Sequence, residues 1–179
     1  MLTAAIRRAF DEAGIKFASP GLRLLVNGRR YLPVTAPVAG NFAAAIYIEP
    51  DDPRSPRSVD AVVRRNLESG RPLATMAVSG LKELATSRRA GSPAATLSTL
   101  TVSNLGRIRP IEPLPLAPDV EYRCANMPSG PDGVTVLLAQ VGRRCTMTAT
   151  FTPEVVARED VAVAIERLTR DPISLLDRD

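Results

Sequence analysis

The chain has no histidine, no tryptophan and only two cysteines in 179 residues, and aromatics make up 4% of it. Without histidine it loses the commonest general base, the usual activator of a nucleophilic side chain, and the commonest metal ligand. Cys124 and Cys145 allow one bridge at most, so they read as buried free thiols of a reducing compartment, and no metal site is expected. Catalysis by this chain alone would have to rest on Asp, Glu, Lys, Tyr, Cys or Ser. Ser79, Ser103, Cys124 and Cys145 are nucleophiles in type, but nothing in the sequence sets a base beside any of them.

Long apolar runs are missing too. No window approaches the roughly 20 apolar residues of a membrane span, and Arg7, Arg8, Asp11 and Glu12 interrupt the first apolar stretch where a signal core would lie. The expectation is a cytoplasmic protein with no membrane span. Charge of either sign is modest: 23 Lys and Arg against 19 Asp and Glu, a net of +4. The arginine pairs at 7–8, 29–30, 64–65, 88–89 and 143–144 lie far apart in sequence with few aromatics between them, which argues against a nucleic-acid groove. Lysine is almost absent, with Lys16 and Lys82 the only two, and alanine and proline are plentiful, as a GC-rich coding background gives. The 45% hydrophobic content suits one domain spanning 1–179.

Periodicity then lays out the elements. Leu2, Ala5, Ile6, Ala9, Phe10 and Ala13 recur at helical spacing with Arg7, Arg8, Asp11 and Glu12 on the outer face, and Gly14 is placed to end the helix. A strand over 22–26 leaves through Asn27-Gly28, and a second covers 42–48. Ser55-Pro56 caps a helix running to Gly70, and a weaker helix covers 73–84. Leu97, Leu100, Val102 and Leu105 predict a central strand over 99–108 covered on both faces, handing over a loop of Ser103, Asn104 and Gly106. A proline-rich connector precedes strands at 120–125, 134–140 and 144–151, the last two a hairpin whose threonines 146, 148 and 150 form an edge or a tunnel wall. Thr152-Pro153-Glu154 opens a final helix, with a charged middle turn at 158–160. This order gives an α+β sandwich with a mixed, largely antiparallel sheet covered by helices.

Val26-Asn27-Gly28-Arg29-Arg30-Tyr31-Leu32, Val38-Ala39-Gly40-Asn41-Phe42, the Ser55-Pro56 helix, Val102-Ser103-Asn104-Leu105-Gly106, the closing hairpin and Thr152-Pro153-Glu154 follow one another over nearly the whole chain. In that order they resemble the C-terminal lobe of condensation-type acyltransferases: condensation domains of nonribosomal peptide synthetases, polyketide-associated acyltransferases and alcohol acetyltransferases. The resemblance implies a lobe like chloramphenicol acetyltransferase. It also implies an active site between two such lobes, and acyl transfer from a coenzyme A or phosphopantetheine thioester to an amine or alcohol, in secondary metabolism, lipid or nonribosomal peptide biosynthesis. The catalytic histidine of that family sits in a His-His-x-x-x-Asp-Gly motif of the N-terminal lobe, which this chain lacks, so no catalytic residue is assigned here. Arg29, with Arg30 as fallback, matches the arginine that pairs with the aspartate of that motif; Ser103, Asn104 and Gly106 match the tunnel loop. The implied partners are an N-terminal acyltransferase lobe and a carrier protein, with the thioester as substrate and no bound cofactor. The alternatives are a non-catalytic binding or scaffold protein that forms a homodimer, and a degenerate fragment.

Overall fold

A computed structural model of the chain describes residues 2–31, 43–86, 99–108, 122–126 and 132–176. Helix α1 (Leu2–Glu12), strand β1 (Leu22–Asn27), a 3-10 turn (Gly28–Tyr31), β2 (Ala43–Ile48), α2 (Pro56–Glu68), α3 (Arg71–Thr86), β3 (Thr99–Arg107), β4 (Gly133–Val141), β5 (Arg144–Thr150) and α4 (Arg158–Arg170) follow in that order. The strands form one sheet, β2-β1-β3-β4-β5. The inner pairings, β1 with β3 and β3 with β4, are parallel; the outer ones, β1 with β2 and β4 with β5, are antiparallel. The fold is therefore α+β on a mixed sheet, with its antiparallel pairs at the two margins.

Alternation along the strands decides the faces. Leu22, Leu24, Ile46, Ile48, Leu100, Val102, Val134, Val136 and Leu138 share one face, and with α1, α2 and α4 they make the hydrophobic core. Small side chains at Ala4, Ala5 and Ala9 let α1 lie close against it, with Ile6 and Phe10 filling the remaining space. From α4 come Val161, Ala164 and Leu168. The capping expectation at Ser55 is met: its side chain accepts from the Ser58 amide at 3.4 Å, with Pro56 at the first helical position. Ser55→Ala is expected to cost about 1 kcal/mol, a fall of about 2–4 °C in a thermal melt followed by circular dichroism.

Arg7 and Arg8, expected on the outer face of α1, are instead buried, at 7% and 8% exposure. Arg7 Nε donates to both carboxylate oxygens of Asp11 at 3.1 Å, and Nη1 donates to the carbonyls of Ser19 and Pro20 at 3.3 and 3.4 Å. Its guanidinium stands 4.8 Å from the centre of the Phe17 ring. Asp11 also accepts from Arg54 Nε at 2.9 Å, which ties α1 to the connector before α2. Arg8 Nη1 donates to the Leu175 carbonyl at 2.9 Å, holding the C-terminal turn. Each charge is desolvated but satisfied, the condition under which a buried arginine is tolerated.

Other expectations need correction. The final helix starts at Arg158, not at Thr152: residues 152–156 make a separate turn, with Val155 and Val156 amides donating to Thr152 O at 3.0 and 3.3 Å. The charged turn at 158–160 is thus the helix's first turn, where Glu159 and Asp160 meet the positive end of the dipole. Residues 122–126 do not form a strand. Leu105, expected buried, is 47% exposed. Cys145 is exposed and Cys124 half-buried, so neither is a core thiol. The segments 32–42, 87–98 and 109–121, which include the Gly40-Asn41-Phe42 motif and most of the proline-rich connector, lie outside the described residues. No helix among the described residues is long and apolar enough to cross a membrane.

Candidate functional site at the C-terminal end of the parallel strands

Strands β1 and β3 are parallel neighbours, with Leu25 opposite Ser103, so both run out at the same end of the sheet. In open sheets, ligands collect outside the carboxyl ends of parallel strands. The expected site residues, more than seventy positions apart in sequence, meet at that end.

At the exit of β1 the Asn27 side chain accepts from the Arg29 amide at 3.0 Å, an Asx-type turn that starts the 3-10 segment. Tyr31 anchors the other end, its hydroxyl donating to Leu67 O at 2.9 Å in the last turn of α2. The Arg30 guanidinium lies 5.6 Å from the Tyr31 ring centre. Arg29 and Arg30 are both exposed on this braced turn.

At the exit of β3 the sequence Ser103, Asn104, Leu105, Gly106 divides between the two faces. Ser103 is 3% exposed, in the row of Leu25 and Leu137. Asn104 points to the other face and is exposed, and its Oδ1 accepts from the Gly106 amide at 2.8 Å. The register with β4 shifts between Asn104 and Arg107: three steps along β3 match two along β4, from Leu138 to Gln140. This is a bulge. Gly106 supplies its positive φ of 62°, and the Ile108 amide resumes pairing with Gln140 O at 2.8 Å. A Cβ at Gly106 would meet nothing within 4 Å, so the backbone angle alone calls for glycine. The bulge also explains exposed Leu105, which the extra residue takes out of strict alternation.

The second face of the sheet carries a feature that local sequence reading misses. Registers place Tyr47, Arg23, Thr101, Thr135 and Thr150 in one row across all five strands. Thr101 and Thr135 are buried, and Thr135 Oγ1 has no hydrogen-bond partner among the described residues. Only the strand order reveals such a row; each of its residues taken singly is an ordinary strand residue.

A groove of about 800 Å³ runs along the edge strand β5, between Tyr122, Arg123, Cys124 and the residues from Arg144 to Ala149. The threonine side of β5 is thus both a sheet margin and, through Thr146 and Thr148, part of a groove wall. Cys124 and Cys145 line the same groove. The Cys124 thiol hydrogen-bonded to the Tyr122 phenol, with smaller contributions from desolvation and from thiolate charge, raises Tyr122 above the ordinary phenol range.

Among the described residues no group of three or more metal-ligating side chains gathers in one place. Arg29, Asn104 and Gly106 offer a guanidinium, an amide and a positive-φ backbone turn, while the expected Ser103 hydroxyl is buried within the sheet. They can bind and orient, but none is suited to take a proton from a substrate near neutral pH. Comparison with family models, with curated proteins and with solved structures finds no match to this chain, so these side chains carry the functional reading by themselves.

Proposed function

We propose that this chain is half of an acyltransferase: the C-terminal lobe of a condensation-type assembly whose histidine-bearing lobe is a separate partner. One observation supports the reading above the others. Arg29 leaves β1 and residues 103–106 close β3 at the same end of two adjacent parallel strands, and residues 27–31 and 103–108 there offer binding groups without a carboxylate or histidine of their own. On this reading the Arg29 guanidinium receives a carboxylate from the partner lobe in a bidentate pair. Asn104 and the Gly106 bulge shape one wall of the passage for a pantetheine thioester, from coenzyme A or a carrier protein.

Reconstitution tests it. The purified chain, given an acyl-coenzyme A and an amine or alcohol acceptor, is expected to release no thiol above the buffer rate. Co-expression with an adjacent-gene lobe carrying His-His-x-x-x-Asp-Gly is expected to give a stable complex that does. Arg29→Ala is expected to weaken that complex about 30-fold (~2 kcal/mol), since it strands a buried carboxylate on the other side. Thiol release by the chain alone, or a complex indifferent to Arg29, would count against the proposal.

A further inference from the structure

Two of the arginine pairs that lie far apart in sequence stand at one end of the fold. Arg29 and Arg30 follow β1, Arg107 ends β3, and Arg143 and Arg144 form the turn joining β4 to β5, so all five stand at one end of the sheet. All five are exposed. The three segments that hold them, residues 27–31, 104–108 and 140–145, contain no Asp or Glu, a local charge of +5 in a chain that nets +4. Arg123 lines the β5 groove together with Arg144. The end of α2, bonded through Tyr31, brings one acid, Glu68. At the opposite end of the sheet the charges are mixed: Glu49, Asp51 and Asp52 follow β2 and Asp132 precedes β4, in company with Lys16 and Arg54.

From this polarity we infer that the basic end docks an acidic protein surface. It deepens the reading above by giving the partner's face a charge. Three features decide between anions. First, the cations are distributed from β1 to β5, three inter-strand steps or about 14 Å, too wide for a single phosphate group and suited to several carboxylates. Second, the glycines at this end, Gly28, Gly106 and Gly142, stand one on each of three separate segments, so no single glycine-rich loop gathers backbone amides around a phosphate among the described residues; the nearest helix start, that of α3 at Arg71, lies beside Tyr31 at one margin of the row of arginines. Third, Tyr31 is the only aromatic in the three segments, too little for a stacking platform under nucleic-acid bases. Arginine on exposed turns also raises the rate at which an acidic partner is captured, an effect that salt screens.

The test uses fluorescence anisotropy with a labelled oligoglutamate and, beside it, an oligothymidylate of equal charge. Two double variants are compared: Arg107→Glu/Arg144→Glu at the basic end, and Arg57→Glu/Arg158→Glu elsewhere. Arg57 and Arg158 sit in the first turns of α2 and α4, where an acid suits the helix dipole. The expected result is salt-sensitive oligoglutamate binding that the first pair weakens about tenfold or more and the second leaves within about twofold. Melting curves confirm that both variants are folded. Equal losses from the two pairs would reduce the effect to net charge and overturn the inference. Tighter binding of oligothymidylate, lost with Arg107 and Arg144, would overturn it in favour of nucleic acid. Because the assay needs no partner lobe, oligoglutamate binding by a chain that never supports acyl transfer would sink the acyltransferase reading and leave the docking surface standing.

Discussion

Phe10→Ala is expected to remove about 3–5 kcal/mol of unfolding free energy, the usual cost of emptying an aromatic site in a closed core. Phe10 is fully buried where α1 meets the sheet, and its ring centre is 6.3 Å from that of Phe17 at a 44° tilt. Nearby alanines cannot move in to fill the space: Ala4, Ala5 and Ala9 already lie at zero exposure against their neighbours. In a domain of this size the loss corresponds to a fall in melting temperature of roughly 10 °C. Val163→Ala, on the exposed side of α4, should change stability by less than about 0.5 kcal/mol and serves as the contrast. A Phe10→Ala protein that melts within about 2 °C of the parent would mean α1 is not docked as described.

Arg7→Ala carries the second large effect, about 3 kcal/mol, because it deletes one member of a buried, hydrogen-bonded charge pair. Asp11 would keep Arg54, which is half exposed, but lose the partner that satisfies it from inside. The carbonyls of Ser19 and Pro20 would lose their guanidinium donor as well. Arg7→Lys should recover less than half of the loss, since an ammonium cannot reach a carboxylate, two carbonyls and an aromatic face at once. Arg7→Ala and Asp11→Ala should be strongly non-additive in urea unfolding. A change within about 0.5 kcal/mol for Arg7→Ala would restore the surface role that its place in the helical pattern suggests.

The contrast between these residues shows what the sequence can reveal. Signals that act within a few residues are legible: the Ser55 cap, Gly14 at the end of α1 with φ 83°, and the two-residue Gly142 and Arg143 turn, in which only the glycine takes positive φ. Each is a local backbone or side-chain requirement, and the residue type announces it. Arg7 is not legible, because its partners at positions 17, 19 and 20, and the Arg54 that shares Asp11 with it, come from other parts of the chain. The period assigns it to the polar side, whereas tertiary contacts bury it. The helix start at 158 was obscured for a related reason. Thr152-Pro153-Glu154 has the composition of a start, but it serves a single preceding turn, and the acids of 159–160 mark the true one.

Of the candidate site, Arg29, Ser103, Asn104 and Gly106 could be picked out from their types and their order. Their meeting at one end of the sheet could not, because it depends on β1 and β3 being parallel neighbours. The same strand order turns two scattered arginine pairs, 29–30 and 143–144, and the single Arg107 into one basic end, and turns Arg23, Thr101, Thr135 and Thr150 into a row. Sequence patterns give faces; register and strand order decide which residues stand together.

Hydrogen exchange on the chain, free and bound to a histidine-bearing partner lobe, addresses the central claim most directly. If the site is half a site, protection on binding will concentrate in residues 27–31 and 103–108, and Arg29→Ala will require about 30-fold more partner to produce it. Protection confined to the core-face helices α1 and α4, with residues 27–31 and 103–108 exchanging as in the free chain, would contradict the account.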